Sequence, residues 1–152
     1  MITKVLDNLR RQCSRREYCT GDILKKAEKA LDGDKEAAEK VLHTLIEEKY
    51  VDNLRYASAY AREKSAISGW GEVKIRYMLS AKGIERDVIS QALEDLDVQC
   101  ADNRLVKLLE NKYRTLRDDP QCKLKLLRFA LGRGYSYDDV SGHIDALMKG
   151  EK

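Results

Sequence analysis

Residues 70–84 read Trp70-Gly71-Glu72-Val73-Lys74-Ile75-Arg76-Tyr77-Met78-Leu79-Ser80-Ala81-Lys82-Gly83-Ile84, one whole helix with its punctuation. Trp70 precedes the helix, and apolar Ile75 and Leu79 follow it at +5 and +9. That spacing is a hydrophobic staple: the residue before the cap packs on the fourth helical position, with the eighth one turn further along the same face. The stretch ends on a basic residue and a glycine, and glycine suits the left-handed residue that closes a helix.

The device recurs at Tyr18/Ile23/Ala27, Ile84/Ile89/Leu93 and Tyr135/Val140/Ile144. Any stapled helix produces this spacing, so the staple alone does not establish a repeat. Lys82-Gly83-Ile84 against Arg133-Gly134-Tyr135 is stronger, because basic residue, glycine and staple all match. These junctions phase the chain as three units of three helices, 1–52, 53–97 and 98–152. Each unit, at about 50 residues, is too small to bury a good core alone, and stacking in tandem supplies the missing burial.

The rest of the chain also reads as helix. Ala38, Val41, Leu42, Leu45, Ile46 and Tyr50 fall on one helical face, as do Val88, Ile89, Ala92, Leu93 and Leu96. Leu (19) and Ala (13) outnumber Val, Ile and Thr together (8, 8 and 4), which favours helix over strand. Nine helices are expected near 2–16, 20–31, 35–50, 53–67, 71–82, 85–96, 101–117, 120–132 and 136–149. Thr20, Asp34, Asp52, Asp119 and Ser136 stand where N-caps are needed, with Pro120 opening the eighth helix. The expected architecture is all-α, an elongated tandem array of three three-helix repeats.

The 152 residues carry 29 Lys+Arg and 26 Asp+Glu, a formal net charge of +3. Segment by segment the charge separates: 1–31 is +4, 32–52 is −4, 53–83 is +4, 84–97 is −4, 98–133 is +5 and 134–152 is −2. The first two helices of each unit are basic and the third is acidic. A regular stack would turn this into a basic and an acidic stripe; the competing reading is exposed pairing between neighbouring helices, each pair worth little.

Several classes are excluded. No apolar run spans a bilayer and no secretory signal pattern opens the chain. One proline and nine glycines exclude collagen-like and Pro-rich linker chains, and 43% apolar residues are too many for a disordered chain of low hydrophobicity. Cys13, Cys19, Cys100 and Cys122 form no C-x-x-C pair and, with His43 and His143, no zinc spacing, so they read as free thiols of a cytosolic protein. No Walker loop, dinucleotide fingerprint, H-E-x-x-H or G-x-S-x-G occurs. Gly69-Trp70-Gly71 reads as a turn, and the adjacent pairs Glu47-Glu48 and Asp118-Asp119 do not converge. No catalytic group, metal or cofactor is expected; the chain reads as a binding protein.

Three segments resemble one known family. Tyr50-Val51-Asp52-x-x-Arg55-Tyr56 resembles the aromatic-aliphatic-Asp-Asp-x-Arg-aromatic motif of the RecX regulatory proteins. Gly71-x-x-Lys74-Ile75-Arg76-x-x-Leu79-x-x-Lys82-Gly83-Ile84 resembles their central G-P-x-x-I-x-x-x-L-x-x-K-G-I segment, and Leu127-Arg128-Phe129-x-x-x-Arg133-Gly134-Tyr135 their R-F-x-x-x-R-G-Y motif. Glu72 stands where the family often has proline, and Asn53 replaces the second Asp of the first motif.

The resemblance implies a bacterial cytoplasmic protein acting in DNA repair, recombination and the SOS response. It would be a monomer that binds in the helical groove of the RecA–single-stranded DNA filament, with weak direct contact to DNA and none to membrane. It would modulate, mostly by inhibition, the recombinase, ATPase and coprotease activities of the filament. Carried over by position, the partner-binding candidates are Lys74, Arg76, Arg55, Lys82, Arg128 and Arg133. Lys74 and Arg76 flank the inward-turned Ile75 and are the first choice. Arg55 also fits a pairing role at the Asp52 cap, and Lys82 and Arg133 a dipole role at helix ends. Trp70, Ile75, Leu79, Phe129 and Tyr135 are assigned to the core. A direct nucleic-acid-binding helical repeat is the alternative, although no helix concentrates the Asn, Gln and Arg that read base edges. A peptide-binding helical scaffold is the third.

Overall fold

Staples and caps divide the chain into the helices α1 (Ile2–Arg15), α2 (Thr20–Ala30), α3 (Lys35–Glu47), α4 (Asn53–Ala66), α5 (Glu72–Ala81), α6 (Arg86–Glu94), α7 (Val98–Leu116), α8 (Cys122–Gly132) and α9 (Tyr137–Lys149). The computed structural model describes residues 1–96 and 98–149, and among these there is no strand. The expected repeat boundary at Asp97 and the end of the third repeat, 150–152, lie outside the described residues.

All eight +5 and +9 staple positions are buried: Ile23, Ala27, Ile75, Leu79, Ile89, Leu93, Val140 and Ile144. Burying a side chain such as Ile75 is worth about 1.5–3 kcal/mol. The residues that lead each staple divide into two kinds. Ile84 and Tyr135 are buried, whereas Tyr18 and Trp70 are half-buried.

Several caps form at the expected residues. Asp34 accepts from the Ala37 N–H at 3.1 Å, Asp52 from Leu54 at 2.9 Å and Arg55 at 3.1 Å, and Ser136 from Asp139 at 3.3 Å. Thr20 departs from expectation: it is the first helical residue, and Cys19 occupies the cap position without a side-chain bond. α8 starts two residues late because a tight turn, Cys122 N–H to Asp119 O at 3.0 Å, precedes it.

The structure divides into two compact units. The first comprises Met1–Tyr60 and Leu79–Glu94. Its core gathers Val5 and Leu9 of α1, Ile23 and Ala27 of α2 with Leu31 at its end, and Ala38, Val41 and Leu45 of α3 with Val51. The second comprises Ala61–Met78 and Asp95–Lys152. Its core gathers Leu105, Leu109 and Tyr113 of α7, Cys122, Leu126 and Ala130 of α8, and Tyr135 with Val140 and Ile144 of α9. α4 and α5 each contribute residues to both units.

Candidate partner-binding surface

In the first unit Arg55 is committed to the fold. Its Nε donates to Glu17 Oε2 at 2.7 Å, and its Nη2 donates to the carbonyls of Lys49 at 3.0 Å and Tyr50 at 3.1 Å. It thereby satisfies carbonyls just past the end of α3 and ties them to the segment before α2. The hydrogen bond to Glu17 raises the pKa of this guanidinium above its ordinary value. Lys82 reaches Asp22 of α2 at 3.3 Å. In the same contact Gly21 lies so near the Lys82 carbonyl that an added Cβ would stand 3.1 Å from it.

In the second unit the segment before α5 crosses the turn between α8 and α9. Gly71 N–H donates to Arg133 O and Val73 N–H to Gly134 O, both at 2.8 Å. Tyr135 Oη donates to Gly69 O at 3.0 Å, and Arg133 Nη1 to Ser68 O at 3.3 Å. Only glycines fit this crossing. A Cβ on Gly71 would lie 2.5 Å from Gly134 O, and one on Gly134 would lie 2.2 Å from Lys74 Cβ, with φ already at +95°. The Arg133-Gly134-Tyr135 junction is therefore a docking element as well as a helix stop.

This crossing brings Lys74 and Arg133 together, and both rest on aromatic rings. Lys74 Nζ lies 4.3 Å and Lys64 Nζ 4.9 Å from the Trp70 centroid. Arg133 lies 5.2 Å and Lys112 Nζ 5.1 Å from the Phe129 centroid. Trp70 and Phe129, expected in the core, are only half-buried, and each ring is packed by cations, whereas Ile75, Leu79 and Tyr135 are buried. A cation over a ring gains about 0.5–1 kcal/mol at an exposed site and keeps its N–H donors for other acceptors. Arg76 pairs with Glu72 on its own helix at 2.8 Å. Arg128 is exposed and makes no ion pair among the described residues.

The pairing of Lys64 and Lys112 with the rings was missed in the sequence, since nothing local marks it. Tyr18 repeats the pattern in the first unit, with Arg16 4.7 Å and Lys26 5.1 Å from its centroid. The thiols of Cys13, Cys19 and Cys122 are pushed up by burial, which keeps them protonated and poorly nucleophilic. Among the described residues no helix is long and apolar enough to cross a membrane.

Residues 52–93 match the family model of the second three-helix domain of RecX, and residues 101–142 that of the third. The regulatory protein RecX of Vibrio parahaemolyticus is 33% identical over 131 residues, 84% of this chain and 81% of that one. The chain belongs to the RecX family. RecX of Clostridium tetani is 29% identical over 147 residues, covering 86% of this chain and 67% of its own length. For RecX of Clostridium botulinum the figures are 32% over 122 residues, 78% and 57%, so the chain spans little more than half of that relative. A crystal structure of regulatory protein RecX superposes with a TM-score of 0.84 at 25% identity, covering 95% of this chain and 71% of that one. The crystal structure of RecX from Lactobacillus salivarius shares the fold, with a TM-score of 0.84 at 24% identity and 96% coverage of both chains. These relatives are regulatory proteins by name, and three-helix domains in tandem are the architecture of the family.

Proposed function

We propose that the chain is a non-enzymatic regulator that binds the RecA filament on single-stranded DNA and restrains its ATPase, strand-exchange and coprotease activities. Membership of the RecX family supports this. The observation that carries it is the arrangement in the second unit, where Lys74 and Arg133 sit on Trp70 and Phe129 instead of against carboxylates. Cations held this way are prepositioned and still able to meet an anionic partner. A filament offers two such surfaces, the acidic side chains of its protein and the phosphates of its DNA. The phasing into repeats at 1–52, 53–97 and 98–152 belongs to the same proposal, each repeat contributing basic helices to the contact.

The test is a charge reversal, Lys74→Glu with Arg76→Glu. Helicity is checked by circular dichroism, and inhibition of ATP hydrolysis by RecA on single-stranded DNA is then assayed. Loss of inhibition by a folded variant is expected. Unchanged inhibition removes both residues from the interface. The same rings and cations would suit bare nucleic acid, which stacks bases on aromatics and phosphates on cations. High affinity for DNA without recombinase, falling steeply with salt, selects that second reading.

A further inference from the structure

Nine large hydrophobic side chains stand exposed among the described residues, and six belong to the second unit: Ile67, Val73, Tyr77, Leu124, Leu131 and Tyr137. Val73 is 55% and Tyr77 71% exposed, one turn apart on α5. At about 100° per residue they lie opposite Ile75 and Leu79, the buried pair of the same helix. On that wheel Lys74 and Arg76 fall on the two flanks of the exposed pair. The bond from Val73 N–H to Gly134 O sets Val73 beside the α8–α9 turn. Leu131 and Tyr137, three residues before and after Gly134, are exposed there at 39% and 58%.

We propose that this outer face of α5, with the adjoining α8–α9 turn, is a protein-docking surface anchored by Tyr77 and Val73. Its partner carries an apolar patch rimmed by carboxylates. Tyrosine and arginine are the side chains that concentrate at the centres of protein interfaces, where a water-excluding rim surrounds them. Valine offers nothing to a phosphate, so a nucleic-acid strand would leave Val73 unused. A second copy of the chain would bring Lys74 and Arg76 against themselves, because a two-fold contact apposes the same patch. The Lys74 flank, whose ammonium rests on Trp70 and not against a carboxylate, instead steers and orients an acidic protein, while Arg76 shares its charge with Glu72. The inference rests on the filament reading above and adds that the second unit meets the filament's protein, with its DNA left to other residues.

The test uses the full chain with Val73→Gln and Tyr77→Gln together, two exposed changes that keep helix-forming side chains. Helicity and melting temperature should be unchanged. Binding is measured to RecA filaments on single-stranded DNA and to the same DNA alone, with sedimentation of the free protein alongside. Filament binding weakened about tenfold, with binding to bare DNA unaltered, supports the proposal. Wild-type filament binding by the variant overturns it, as does equal weakening on bare DNA, which would make the face a nucleic-acid surface. A wild-type dimer that the variant turns into a monomer overturns it too, in favour of self-contact. A wild-type chain that binds no filament removes the filament reading and this inference together, an outcome distinct from all of these.

Discussion

Asn53 closes the N-terminus of a helix 33 residues earlier in the chain. Its Oδ1 accepts from Thr20 N–H at 2.9 Å while its Nδ2 donates to Thr20 Oγ1 at 3.1 Å. A cap is normally local; here the first residue of α4 caps α2. Asn53→Ala removes both bonds from a half-buried site and should cost about 1–2 kcal/mol. Asn53→Asp should cost less, because a carboxylate can accept from both the N–H and the hydroxyl of Thr20. Urea unfolding of the two variants beside wild type checks the order, and equal losses would refute it.

Gly83 and Gly134 hold equivalent junctions but different surroundings. Both have positive φ, +83° and +95°, yet an added Cβ meets nothing within 4 Å at Gly83 and lies 2.2 Å from Lys74 Cβ at Gly134. Gly83→Ala should therefore cost only the left-handed strain, about 1–2 kcal/mol. Gly134→Ala must also push α5 off the turn and should cost clearly more, about 3 kcal/mol or above. Thermal unfolding of the pair decides; a milder effect at Gly134 would mean the crossing is not tight.

Lys49 is a non-glycine residue at φ +65°, and its carbonyl accepts from Arg55. Lys49→Gly relieves the side-chain strain and leaves the carbonyl in place, so a gain of about 0.5–1 kcal/mol is expected. Arg55→Ala should lose about 1 kcal/mol, a modest value for a partly exposed cluster. Chemical denaturation of both variants should move in opposite directions from wild type.

Stability should fall on the alkaline side. Burial holds the Cys13, Cys19 and Cys122 thiols above their ordinary value and pushes the Tyr56 hydroxyl up to about 12. A raised acid binds its proton more tightly in the folded state. Its contribution is complete below the unfolded pKa, about 8.5 for cysteine and 10 for tyrosine, and is lost as pH rises through the folded value. Urea midpoints should be level near pH 7 and decline above about pH 9. Cys19→Ala should be weaker at pH 7 and should decline less steeply; a slope as steep as wild type would exclude Cys19 as a source.

Much of the helix map was legible because its causes are local. Trp70, Ile75 and Leu79 lie within ten residues, and an i to i+4 geometry turns the last two inward whatever surrounds them. The outward pair Val73 and Tyr77 is equally local in origin, being apolar residues opposite a staple. Trp70 itself was misplaced. A single large aromatic at a staple reads as core, whereas Trp70 is half-buried and seats Lys64 and Lys74 on its ring, a placement that depends on how the segment between α4 and α5 folds. Asn53 looked like a loss relative to the family motif, and only its contact with Thr20 shows what its amide does.

By itself, the sequence determined the all-α architecture, the approximate helix limits, the buried face of each stapled helix and the family, since all of these follow from spacing within a few turns. The tertiary structure alone decided which cations are consumed by the fold. Arg55 and Lys82 were carried over from the family motifs alongside Lys74 and Arg133, but their partners lie 38 and 60 residues away in Glu17 and Asp22. Long-range packing brings carboxylates to the first pair, whereas Lys74 and Arg133 each rest on a ring four residues earlier, Trp70 and Phe129, and a charge is available to a partner only where packing has not already neutralised it.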